Sequence, residues 1–210
     1  MINYYKLMKL VVTEQIADYL VSKDEDFRNL ISKYGLVEPD LYDDLFASIV
    51  FHIVGQMLSQ KAARKIYLRF VDKCNNSITP STISSLNVEE IKDCGMSIKK
   101  ASWIHELSIK CLSKEINLDD VYKMSDDEAV SFLSSINGVG VWTAEMLILF
   151  SLGRENVFSY NDVALRNGII KVKKYKTLSK KRFETLRKIY SPYCSYAALY
   201  FYLCNDDKMY

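Results

Sequence analysis

Three observations predict an all-α protein. Apolar residues recur at intervals of three and four, as in Leu45, Phe46, Ile49, Val50, Ile53, Val54 and Met57, the spacing that gives a helix one buried face. Asn87 with Glu90, and Ser125 with Glu128, have the residue types and offset of capping boxes. No stretch alternates apolar and polar long enough to force a strand, although a small sheet within the first forty residues stays open. With 210 residues and 49% hydrophobic content, the chain can bury a substantial core as one domain or two packed lobes.

Taken in order, the first forty residues read as helices, with Ile16, Tyr19 and Leu20, then Phe27, Leu30 and Ile31, at helical spacing. A helix buried along one broad face follows from Leu41. Ser59 is placed to cap the next, which carries Ala62, Ala63, Ile66, Tyr67 and Phe70. Thr79-Pro80 starts a short helix, and Gly95 ends the one begun at Asn87. Ser97 caps a helix running through Trp103 and Leu107, and Ser125 begins another. Trp142 to Leu152 is the next helix, with Gly153 as its stop. Asp162 opens another, Leu178 to Tyr190 is amphipathic, and Ser191-Pro192 starts the last with Pro at its first position.

Composition excludes some classes. No run of about eighteen apolar residues is present. Met1 to Leu20 carries Lys6, Lys9, Glu14 and Asp18 through its apolar positions, unlike a secretory signal. Five scattered cysteines without a C-x-x-C pair fit reduced thiols, and neither a zinc site nor a four-cysteine iron–sulfur loop can be built locally. A monomeric cytoplasmic protein is expected. His52 and His105 lack a second ligand at metal spacing and read as satisfied, partly buried histidines. Charge is asymmetric. Residues 1–135 hold 16 Lys/Arg against 20 Asp/Glu, and residues 136–210 hold 12 against 6. Nine of those twelve lie between Lys171 and Lys188, opposed only by Glu184. The run fits either a solvated face or a phosphate-binding one.

Gly138 and Gly140 flank one apolar residue between two helical patterns. Glycine permits a turn with positive φ and close backbone approach, and the following helix points its positive end at the same place. That is an anion site, suited to a phosphate. The residues here, Ile-Asn-Gly-Val-Gly-Val-Trp-Thr-Ala, resemble the hairpin of the helix-hairpin-helix DNA glycosylase superfamily. Asn161-Asp162-Val163-Ala164-Leu165-Arg166 is similar to its aspartate segment. Ile49 to Ala63 resembles the family's I-x-x-Q-x-x-S-x-x-A-A, and Gly95 to Ile104 its G-x-S-x-x-K-A-x-x-I. The matches stand in family order over roughly residues 41 to 205, with DNA-3-methyladenine glycosylase II as the nearest subgroup.

The resemblance implies a two-lobed helix-hairpin-helix glycosylase fold over 1–210, with lobes of 40–130 and of 1–40 plus 131–210, a hairpin at 132–152 and a cleft between the lobes. It implies Asp162 as the catalytic carboxylate, where the residue pattern alone gives an N-cap; the two roles are compatible. It implies a base pocket at Trp142, with Trp103 and Phe46 as further candidates, although each also reads as core. Trp142 stands where strand-cutting relatives carry a Schiff-base lysine, and an indole suits a cationic alkylated base. The implied DNA contacts are Gly138, Val139, Gly140, Thr143, Gln56, Met57 as a wedge filling the gap left by the extruded base, and Ser59; the basic run adds Lys171 as a candidate DNA contact. No side-chain metal or cofactor is expected, though hairpin carbonyls resemble a monovalent cation site. Departures are Asn161 for a first Asp, Val163 and Met146 for tyrosines, and Cys194 for Arg. The expected activity is monofunctional release of 3-methyladenine-type bases from damaged duplex DNA. A glycosylase for oxidised or mismatched bases, or a non-catalytic DNA-binding module, are the alternatives.

Overall fold

A computed structural model describes residues 10–39, 41 and 44–206. Of the Met1–Leu20 stretch, residues 1–9 lie outside that description. The described residues form twelve α-helices and a 3-10 helix, Leu118–Lys123, and contain no strand. They fall into two compact units, Met1–Leu41 with Ile148–Tyr210, and Tyr42–Leu147. The hairpin has its turn, residues 136–140, within 42–147. Its turn is tied there by Asn137 Nδ2 donating to Glu106 Oε2 at 2.9 Å and by Gln56 Nε2 donating to the Gly138 carbonyl at 2.5 Å.

In the 42–147 unit, α3 (Leu45–Gly55) begins after Asp44, whose carboxylate accepts the Ala47 N–H. Ile49, Val50, Ile53 and Val54 are fully buried on it. The helix α4 (Gln60–Lys73) is capped by Ser59, the short α5 (Pro80–Ser84) by Thr79, and α6 (Val88–Lys92) by the Asn87–Glu90 box. Both α5 and α6 pack on α7 (Ile98–Leu112), which also meets α3. The Ser125–Glu128 box opens α8 (Asp126–Ser134). The hairpin then leads into α9 (Val141–Phe150), whose residues from Ile148 on belong to the other unit; the helix is closed by Arg154 N–H donating to Ile148 O across Gly153 at φ +63°.

The other unit holds α1 (Glu14–Lys23), α2 (Asp26–Tyr34), α10 (Val163–Lys173), α11 (Lys180–Tyr190) and α12 (Cys194–Asp206). Phe27 meets the rings of Tyr190, Tyr200 and Phe201 edge-on at 5.3–5.8 Å, a geometry that aromatic quadrupoles favour. Between α10 and α12 the backbones nearly touch. A Cβ on Gly168 would lie 2.0 Å from the Phe201 carbonyl oxygen. The last helix starts at Cys194 rather than at Pro192, which stays in the preceding turn. The reason is non-local. Ser195 N–H donates to Glu155 O, and its hydroxyl bonds Arg154 O and the Val157 N–H, so the first turn forms where the 154–157 loop can satisfy it.

One part-buried ion pair joins distant parts of this unit. Lys173 Nζ bonds Asp24 Oδ2 and pairs with Asp26 at 2.9 Å, while the Tyr190 hydroxyl donates to Asp24 at 2.5 Å. Burial pushes the Asp24 carboxyl up, but Lys173 and Tyr190 outweigh it and hold it below the ordinary carboxylate range. A depressed carboxyl stabilises the fold above its unfolded value of about 3.9, and that contribution is lost as pH falls below it. Asp24→Asn is expected to cost roughly 3 kcal/mol at neutral pH and to lose less stability than wild type on acidification below about pH 4. Thermal unfolding from pH 7 to 2.5 checks this; melting curves that stay parallel throughout would contradict it.

Candidate active site

The hairpin turn is shaped by Gly138. Its φ is +88°, and a Cβ there would fall 2.6 Å from Cε3 of Trp103. No L side chain fits that position without moving the indole. Gly140 differs from expectation, for its φ is not positive and open space surrounds it. Its carbonyl accepts the Ala144 N–H at 2.9 Å, so it stands as the residue before α9 and brings no capping side chain to that helix's first turn. Val139 is buried in the turn with its N–H on Ile136 O at 2.9 Å. Thr143 is buried, whereas Trp142 is 42% exposed.

A second turn lies at the end of α3. Leu58 N–H donates to Gly55 O at 3.2 Å, Gln56 has φ −55° and ψ 135°, and Met57 has φ +58°. This is the pattern of a type II turn, with methionine where glycine or asparagine normally sits. For an L residue the left-handed region costs roughly 1–2 kcal/mol, and the Met57 side chain is 100% exposed. Two contacts hold the turn. Gln56 Nε2 donates to Gly138 O, and Lys100 Nζ donates to Val54 O at 2.9 Å and Gln56 O at 2.6 Å. Trp103 lies against Gly138 and carries the Lys99 ammonium 4.9 Å from its centroid, so it backs the hairpin. Phe46 is core, and Ser59 is the N-cap of α4. The structure thus brings together Gln56, Met57, Trp103 and Gly138.

Asp162 belongs to the other unit. It is 5% exposed and is the N-cap of α10, with Oδ1 accepting the Leu165 N–H at 2.9 Å and Oδ2 accepting the Tyr202 hydroxyl at 3.1 Å. Tyr202 escaped the sequence reading, because nothing local marks a residue forty positions away as its partner. The basic run divides in two. Lys171 donates to Cys204 O at 2.7 Å near the end of α12, and Lys173, part-buried, pairs with Asp24 and Asp26. Lys174, Lys176, Lys180, Lys181, Arg182, Arg187 and Lys188 are exposed, and Glu184 pairs with Arg187. Arg182 also stacks over Tyr175 at 4.5 Å.

His52 departs from expectation: its Nε2 is buried with no hydrogen-bond partner among the described residues, and burial pulls its pKa down, which keeps the ring neutral. Among the described residues no cluster of three or more His, Cys, Asp or Glu could hold a metal ion, and no helix is long and apolar enough to cross a membrane. The hairpin carbonyls of Ile136, Gly138 and Gly140 each already accept one N–H and keep one lone pair. Neutral oxygens of this kind suit a monovalent cation better than a transition metal.

Comparison with known proteins agrees with this geometry. The family described as HhH-GPD superfamily base excision DNA repair protein matches residues 50–192. The chain is 32% identical to the alkylbase DNA glycosidase-like protein mag2 of Schizosaccharomyces pombe, over 87% of this chain and 89% of that one. It superimposes on a DNA-3-methyladenine glycosidase from Bacillus halodurans with a TM-score of 0.83 at 27% identity, covering 93% and 91% of the two chains. With the S. pombe 3-methyladenine DNA glycosylase Mag1, solved in complex with abasic DNA, the TM-score is 0.78 at 27% identity, covering 90% and 95%. A match across two thirds of the chain, joined to a buried N-cap aspartate and a glycine hairpin backed by tryptophan, places this protein in the HhH-GPD superfamily of base excision DNA repair proteins.

Proposed function

We propose that this protein hydrolyses the N-glycosidic bond of an alkylated purine of the 3-methyladenine type in duplex DNA, leaves an abasic site and does not cut the strand. The observation that carries the chemistry is the Asp162 carboxylate, held by the Leu165 N–H and the Tyr202 hydroxyl. Both bonds are donated to the carboxylate and fix its orientation. As the base departs, the sugar becomes oxocarbenium-like, and a fixed anion stabilises that charge or orients the attacking water, as carboxylates do in glycoside hydrolysis. A base that is cationic before the bond breaks is a good leaving group and needs little acid catalysis.

Trp142 supports the rest of the reading. An exposed indole occupies the hairpin position where strand-cutting relatives would carry an amine, so no Schiff base with the sugar can form there. The ring is suited to a positively charged base by cation–π attraction. The substrate class is also that of the relatives named as 3-methyladenine or alkylbase enzymes. In this reading the Gly138 turn grips a backbone phosphate, and Met57, exposed and held in a strained turn, fills the gap left by the extruded base.

Asp162→Asn is expected to abolish base release from methylated duplex DNA while retaining duplex binding; near-normal release would remove Asp162 from the chemistry. Product analysis with wild-type protein should find alkali-labile sites but intact strands before alkali. The exposed cations of the 174–188 run act as phosphate contacts. Replacing Lys176, Lys180 and Lys181 with alanine should reduce the slope of log K against log salt by roughly 2–3, at about 0.9 per lost phosphate contact. An unchanged slope would leave the run a solvated face.

A further inference from the structure

Behind the Met57 turn stands a lysine that takes no part in the hydrolysis proposed above. Lys100 lies on α7, one turn before Trp103. Its ammonium donates to two neutral carbonyls at the end of α3, Val54 O at 2.9 Å and Gln56 O at 2.6 Å. A cation at a helix C-terminus is favoured by the dipole and satisfies carbonyls the helix leaves open. Here the second carbonyl belongs to the residue immediately before Met57. The same Gln56 sends its side-chain amide to Gly138 O, and Trp103 packs its ring on Gly138. One face of α7 therefore reaches both turns, one through Lys100 and the other through Trp103. Burial lowers the Lys100 pKa, a desolvation cost incurred with no carboxylate in the hydrogen bonds described.

We propose that Lys100 is a positioning residue for base extrusion: by fixing the Gln56 carbonyl it holds Met57 in its left-handed, outward-facing conformation. Without that ammonium the strained turn relaxes toward the negative φ a methionine prefers, and the side chain leaves the place from which it enters the duplex. The proposal rests on the glycosylase reading above and on Met57 as the wedge.

The test compares Lys100→Met, Lys100→Arg, Met57→Ala and the Lys100→Met/Met57→Ala double variant in two measurements. One is single-turnover base release from methylated duplex at saturating enzyme. The other is the fluorescence of 2-aminopurine placed beside an abasic-site analogue, which rises when an inserted side chain unstacks it. Lys100→Met and Met57→Ala should each slow release by roughly 10- to 100-fold, as misplacement of a distant positioning group does, and each should blunt the fluorescence rise. The double variant should be no slower than the slower single variant, and Lys100→Arg should restore both signals. Normal release by Lys100→Met beside a slow Met57→Ala overturns the proposal, and so do losses that multiply in the double variant. A normal Met57→Ala removes the wedge and this proposal with it, while Asp162→Asn tests the hydrolytic reading separately. If Lys100→Met does not fold, Lys100→Gln carries the same comparison.

Discussion

The 42–147 unit is built around a contact that only glycine permits. At Gly138 the backbone turns through positive φ directly against the indole of Trp103, leaving no room for a Cβ. That absence lets α7 support the hairpin from behind, and it leaves the Gly138 carbonyl within reach of Gln56. Two turns distant in sequence, 55–58 and 136–140, are thereby bonded to each other. Interiors and turns packed this closely do not deform gradually, so their spacing is set by the fold.

Several of the residues at issue sit at helix ends. Asp162 caps α10, Gly140 precedes α9, Ser59 caps α4, and Lys100 closes the end of α3. Helix ends carry unsatisfied N–H or C=O groups and the ends of the macrodipole, so anions and cations gather there without a dedicated binding loop. The same physics gives Asp162 its structural partner in the Leu165 N–H. Lys171, beside the C-terminus of α12, obeys the rule as well, and its amine faces inward to Cys204 O.

What the sequence disclosed followed the range of the interaction. Capping boxes at Asn87 and Ser125, and the caps Ser59, Ser97 and Asp162, depend on partners three residues away, and each forms. The glycine hairpin was legible for the same reason, although only Gly138 of its two glycines is required by sterics. Partners far along the chain left no local trace. Lys171 and Lys173 looked like the start of a phosphate-binding run, but their bonds go to Cys204 and Asp24, 33 and 149 residues away. Tyr202, which holds Asp162, and Lys100, which holds Gln56, were hidden likewise. Pro192 has the residue type of a helix start, yet Ser195 and the 154–157 loop decide where α12 begins.

The claim that the hairpin's backbone shape is what grips the strand is tested most directly by the dissociation constant of Gly138→Ala for a duplex bearing an abasic site. Thermal unfolding should be followed in parallel, so that binding is measured on folded protein. A methyl at this position must displace Trp103 and disfavours the positive φ, so affinity should fall by roughly ten-fold or more, which is at least about 1.4 kcal/mol. A folded Gly138→Ala protein that binds the duplex as tightly as wild type would contradict the account.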